Sequence, residues 1–182
     1  VLDKARQLFW TKGFYDSSIQ DLVSSLGINR GSLYDTYGGK KELFYASLKL
    51  HQKRNLDFLR SFLEKHESVK IGLRKFFETI VDLSVDDKLN KGCFIVNSTM
   101  ELIPSDSQVV ELISDFQRSV QKEFFTYLET GKRKGQLKST LDSLSTSSML
   151  CTLLMGIRVS GKIIRNKKEL TQTVHAILSL IN

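Results

Sequence analysis

Proline is nearly missing: Pro104 is the single one in 182 residues. Little therefore interrupts long helices. Cysteine is scarce too. Cys93 and Cys151 both lie in apolar runs and no cysteine pair has metal-ligand spacing, so buried free thiols are expected. His51, His66 and His175 are scattered without a motif. No catalytic set, metal site or cofactor is expected. No run of about 18 apolar residues exists, which excludes a transmembrane helix. No signal peptide is visible, so a cytoplasmic protein without membrane contact is expected. The chain opens on Val1 and not on Met, which leaves room for an upstream segment. Long alternating β-branched runs and Asn-Gly hairpins are also lacking, and with them the signals of strands.

What is present is helical spacing and positive charge. Hydrophobic residues make up 41%, mixed with polar ones, which argues against disorder. The net charge of +7 permits a nucleic-acid partner. Its distribution is uneven: residues 1–45 hold six Lys/Arg against five Asp/Glu, 46–75 eight against three, 76–130 four against ten, and 131–182 nine against two. The N-terminal quarter is nearly neutral, so a DNA assignment must rest on its motif.

Leu2, Ala5, Leu8 and Phe9 form one face of a first helix that ends near Gly13. Ser17 and Ser18 offer two N-caps for the second. Ser17–Gln20 matches a capping box, and Ser18–Asp21 resembles one more loosely. The second helix buries Ile19, Leu22, Val23 and Leu26, and stops at Gly27. Asn29 caps a third helix by accepting the Ser32 N–H. Two short helices around a tight glycine turn make a helix-turn-helix. Leu33 and Tyr37 pack inward, which leaves Arg30, Ser32, Tyr34 and Asp35 largely outside. Gly31 costs up to about 1 kcal/mol relative to Ala inside a helix, an expense that close approach to a partner would justify. Gly38-Gly39 ends this helix. Lys40 and Lys41 then open a long fourth one over 40–65. Lysines at a helix N-terminus oppose its dipole, but they suit a bound anion; plain solvation is the alternative. Five further helices are predicted over about 67–86, 91–102, 105–131, 141–165 and 167–181, with a break at Pro104.

The stretch "GFYDSSIQDLVSSLGINRGSLYDTYGGKKELF" resembles the DNA-binding signature of the TetR family of bacterial transcriptional regulators. The positions that carry the likeness are Gly13-Phe14, Ser17-Ser18, Ile19, Asp21-Leu22, Leu26-Gly27-Ile28, Gly31, Leu33-Tyr34, Tyr37 and Lys41-Glu42-Leu43. Thr36 stands where the family often has His, Tyr37 where Phe is usual, and Leu26 where Ala is common. The resemblance implies an all-α chain of about nine helices. A three-helix DNA-binding domain would span 1–45, and a helical effector-binding and dimerisation domain 46–182. It implies a homodimer that places two third helices in successive major grooves of a palindromic double-stranded operator. Ser17 and Ser18 would touch phosphate. Asn29, Arg30, Gly31 and Ser32 would face bases or nearby phosphates, and Tyr34, Thr36, Tyr37 and Lys40 phosphate or the groove wall. Arg30 suits either a bidentate contact to guanine or a phosphate contact without sequence preference. Asn29 is a cap first and a DNA contact second.

In the C-terminal part, "KGCFIVNSTMELI" sets Asn97, Ser98 and Thr99 in an apolar helix. With Phe94, Met100, Phe116, Val120, Phe124 and Met155, Asn97 and Ser98 would line an effector pocket; ordinary core with a satisfied Asn is the alternative. The helix over 147–164 is apolar on more than one face, and Leu170, Val174, Ile177 and Ile181 form a packing seam. With Met155 and Val159 they would build the dimer interface, or else bury within one chain. Gly156 and Gly161 would admit a close helix or bend their own. The reading is a sequence-specific regulator of repressor type, released by a small-molecule effector, and not an enzyme. The alternative is an all-helical carrier or enzyme without DNA binding. It lacks a nucleophile–base pair and a recognisable carboxylate pair.

Overall fold

The computed structural model describes residues 1–103 and 105–181; the expected break at Pro104 lies outside them. Among the described residues the chain has nine α-helices and no strand: α1 (Leu2–Lys12), α2 (Ile19–Leu26), α3 (Arg30–Tyr37), α4 (Lys40–Glu64), α5 (Val69–Val85), α6 (Phe94–Leu102), α7 (Ser107–Arg133), α8 (Ser143–Ser160) and α9 (Lys167–Leu178). The all-α expectation holds. Helix ends move inward by a few residues where a cap intervenes. Ser68 and Asp142 each accept a backbone N–H and start α5 and α8 two residues later than periodicity alone suggests, while Asn166 caps α9 at its expected start. Among the described residues no helix is long and apolar enough to cross a membrane.

Compactness divides the chain differently from a linear cut at residue 45. One unit comprises Val1–Asn55 with Cys93–Ser114, and the other Leu56–Gly92 with Asp115–Asn182. In the first unit Phe44 of α4 is the hub. It meets Phe9 at 5.2 Å, Phe14 at 5.1 Å and Phe94 at 5.7 Å, all edge to face. Ala5, Leu22, Leu33 and Leu48 are fully buried around it. α6 thus joins the N-terminal helices through Phe94. Buried Arg6 bonds Asp3 at 2.9 Å, lies 3.2 Å from His51 Nδ1 and sits over the Trp10 ring.

The second unit closes around Phe76, Phe77, Ile80, Val81, Phe124, Leu128, Leu150 and Ile157. Leu170, Val174 and Ile181, expected on a dimer face, are 4%, 0% and 3% exposed and belong to this core; Ile177 packs against it. The seam on α9 exists, but it is turned toward α5 of its own chain. Gly161, at the end of α8, permits a close approach: a Cβ there would lie 2.5 Å from the Ser84 Cβ on α5. Gly156 meets nothing within 4 Å. Burial pushes the Cys151 thiol up to about 11, which keeps it protonated and inert near neutrality. Cys93 differs from the expectation: it is only half-buried, at the N-cap of α6.

Candidate nucleic-acid interface

The first unit presents a helix-turn-helix. Ser18, not Ser17, caps α2. Its Oγ accepts the Asp21 N–H at 3.0 Å, and Asp21 accepts the Ser18 N–H at 2.9 Å. Ser17 is fully buried, and its hydroxyl donates to the Gly13 carbonyl at 2.6 Å. The expected phosphate contact through the Ser17 hydroxyl is therefore corrected, because that donor is spent inside the protein. Ser18 is exposed. Gly27 takes the left-handed conformation, φ +68, and turns the chain between the helices. Asn29 accepts the Ser32 N–H at 2.8 Å and starts α3.

On α3, Leu33 is fully buried and Tyr37 half-buried, and these two set the inward face. Asn29, Arg30, Gly31, Tyr34 and Thr36 are exposed, and Ser32 is half-buried. The Arg30 guanidinium sits 5.7 Å from the Tyr34 ring centre, within cation–π reach, so a cation and a phenol hydroxyl share one exposed side of the helix. The lysines that open α4 have separate fates. Lys40 lies over the Phe14 ring at 4.4 Å. Lys41 pairs with Asp106 at 3.1 Å and sits over Tyr45. The Lys41 ammonium thus has an internal anion, whereas Lys40 rests on an aromatic face. Glu101 and Asp106, distant in sequence, were not anticipated as neighbours of this motif.

The capping box has a pH signature. Lys12 first, then the backbone N–H and hydroxyl of Ser18, hold Asp21 down to about 2. Its unfolded value is about 3.9. A depressed acid stabilises the fold above the unfolded value and loses that contribution as pH falls through the folded one. Wild type should therefore lose stability between about pH 4 and pH 2 more steeply than Asp21→Asn. Thermal unfolding followed by circular dichroism across that window checks this; parallel curves would refute it.

The residues expected around an effector divide between the two units. Phe94 packs on Phe44 and His51, and the Ser98 hydroxyl donates to the Phe94 carbonyl at 2.8 Å. Asn97 is half-buried. Met100 is 79% exposed, which removes it as a pocket wall. Val120 and Phe124 are buried in the second core, with Phe116 packed against it; Phe124 is wholly enclosed and is core, not lining. Met155 is half-buried and Val159 is 46% exposed. A surface cleft of about 200 Å³ lies instead between α5 and α9, lined by Lys70, Arg74, His175 and Leu178 among others.

This reading head has close counterparts. Residues 1–46 match the family model of bacterial regulatory proteins, tetR family, and residues 72–177 match the tetracyclin repressor-like C-terminal domain. The chain belongs to the TetR family. It is 30% identical over 183 residues to the uncharacterized HTH-type transcriptional regulator YezE of Bacillus subtilis strain 168, covering 100% of this chain and 94% of that protein. It is 25% identical to the HTH-type transcriptional repressor ComR of Escherichia coli K12, covering 99% of this chain and 86% of ComR. Among solved structures, a cysteine mutant of the TetR family regulator CifR, complexed with 26-bp double-strand operator DNA, superposes with a TM-score of 0.88 at 22% identity. That match covers 100% of this chain and 94% of CifR. Like these TetR relatives, the chain is a transcriptional regulator of helix-turn-helix type, and not an enzyme.

Proposed function

We propose that this TetR family member is a cytoplasmic repressor that binds a palindromic double-stranded operator as a homodimer and leaves it when a small-molecule effector binds. The observation that carries the DNA reading is α3. Leu33 anchors it from behind while Arg30, Tyr34 and the amide of Asn29 stand at its exposed N-terminal edge. That edge of a recognition helix is the part that reaches base edges in the major groove. ComR is named a repressor and CifR was solved on operator DNA, which supports the same assignment here.

The dimer face is reassigned from the buried α9 seam to the outer stripe of α8. Thr152, Gly156 and Val159 are exposed at spacings of four and three residues, Met155 borders them, and Ile163 is exposed in the turn just after the helix. Two-fold pairing there would carry two copies of α3 to half-sites roughly 34–36 Å apart. The effector would enter the helical unit, where Phe116 and Met155 are the half-buried candidates from the expected set. An effector releases DNA only through its differential affinity for the two states.

The test selects a preferred duplex from a random-sequence library and measures its binding by fluorescence anisotropy against a scrambled duplex, across a salt series. The selected duplex should bind roughly a thousandfold more tightly. Its affinity should fall with salt at a slope of about 0.9 per phosphate contacted. Equal affinity for both duplexes at every salt concentration would reject the assignment.

A further inference from the structure

Two carboxylates hold the reading head from outside the helix-turn-helix, within the same compact unit. Glu101, in the last turn of α6, accepts the Phe14 N–H at 3.0 Å on one oxygen and the Tyr15 N–H at 2.7 Å on the other. These are consecutive amides of the turn that leads into α2. Gly13 makes room for the contact. Its φ is +88, and a Cβ there would lie 3.0 Å from Glu101 Oε2. The Tyr15 hydroxyl meets Ser105 Oγ at 3.2 Å. Asp106 grips the other side. It accepts the Tyr45 hydroxyl at 2.9 and 2.8 Å and pairs with the Lys41 ammonium at 3.1 Å. Its Oδ1 also accepts the N–H groups of Gln108 and Val109, at the start of α7. Lys41 and Tyr45 lie on the opening turns of α4, directly after α3. The two grips therefore bracket the helix-turn-helix, one just before α2 and one just after α3.

The Phe44 cluster already holds these helices together, but apolar burial is largely non-directional. A carboxylate that takes two consecutive amides is directional and charge-assisted. Phe14 and Tyr15 lie outside any helix, so these amides have no intrahelical acceptor to fall back on.

We propose that Glu101 is a positioning residue for operator binding: by holding the Phe14 and Tyr15 amides it fixes the orientation of α2 and α3 against α6, with Asp106 as the matching hold on α4. This rests on reading α3 as the DNA-contacting helix. Glu101 touches no DNA in this scheme, so its removal lowers specific affinity while leaving the phosphate-contacting cations in place.

The experiment uses the full chain with Glu101→Gln, Glu101→Ala and Asp106→Asn. Glu101→Gln keeps the side-chain size but offers one carbonyl acceptor where two oxygens served. Binding to the library-selected duplex and to its scrambled counterpart is measured at two salt concentrations, beside thermal unfolding and the emission of the sole tryptophan, Trp10. Both Glu101 variants should bind the selected duplex roughly 10- to 100-fold more weakly, the scale of charge-assisted hydrogen bonds. Binding to scrambled DNA and its salt dependence should stay close to wild type, and the melting transition should fall only modestly, leaving the protein folded at the assay temperature. Unchanged specific affinity in Glu101→Ala overturns the proposal. So does an equal loss on both duplexes, since that marks a merely structural role. If wild type itself fails to separate the two duplexes, the DNA reading of α3 falls first, and the positioning role with it.

Discussion

Replacing Phe124 with Ala should lower the unfolding free energy of the helical unit by about 3–5 kcal/mol. The ring is fully buried. It stacks on Phe77 at 5.9 Å with planes 15° apart, and meets Phe76 edge to face at 5.8 Å. Phe76 in turn is held edge-on by Phe62 at 5.7 Å. Rigid rings locked in this way relax poorly into the space left behind, so the cavity penalty adds to the lost transfer free energy. Domains of this kind carry about 5–15 kcal/mol in total, so the change removes a large share. Phe125 is the internal control. It is 38% exposed, and Phe125→Ala should cost far less, since surface substitutions usually stay within about 0.5 kcal/mol. Urea unfolding followed by circular dichroism compares the two. Equal effects would falsify the assignment of Phe124 to the core, and would reopen it as a pocket residue.

Arg30→Ala should weaken binding to the preferred duplex and relax its sequence preference, at a cost of about 1–3 kcal/mol in discrimination against a wrong base. Arg30 is exposed at the first position of α3, with its guanidinium 5.7 Å from the Tyr34 ring centre. That cation–π contact restrains the guanidinium before DNA arrives, so less freedom is lost on binding. The two open readings of Arg30 give different results. A bidentate contact to guanine makes the loss depend on the base at one operator position. A phosphate contact makes it uniform across sequences and lowers the salt slope by about one. Anisotropy titrations with the selected duplex and its single-base variants separate them. Tyr34→Phe keeps the ring under Arg30 and removes the hydroxyl, so it tests whether the ring alone supports the contact. Wild-type affinity and preference in Arg30→Ala would remove Arg30 from the readout.

Much of the head is readable from its letters because its signals are local. Asn29 and Ser32 are three residues apart, and so are Ser18 and Asp21; Gly27 needs only its own freedom to turn the chain. Locality also explains why the cap of α2 stays open between two serines in the sequence. Ser17–Gln20 matches the capping-box pattern and Ser18–Asp21 only loosely, yet the looser pair forms the box. Packing separates them: Ser17 is taken into the interior and bonded to Gly13, while Ser18 is left at the surface to cap. Likewise the seam of Leu170, Val174, Ile177 and Ile181 shows that α9 buries one face, but periodicity names a buried face without naming what covers it. The effector set failed at Met100 and Phe124 for the same reason. Apolar letters look alike in a pocket, in a core and on an exposed turn.

The sequence by itself determined nine helices, a helix-turn-helix with Leu33 behind and Arg30 in front, and membership of a family of DNA-binding regulators. Each depends on residues within a few positions of one another, or on many such positions recurring at fixed spacing. Only the tertiary structure decided which lysine of Lys40-Lys41 is tied to an internal acid, that α9 packs on α5, and that Glu101 and Asp106 hold the head. The carboxylate contacts join residues 61 to 87 positions apart, and α9 meets α5 across 97. No spacing rule reaches that far, because which distant carboxylate meets which amide depends on how whole helices pack.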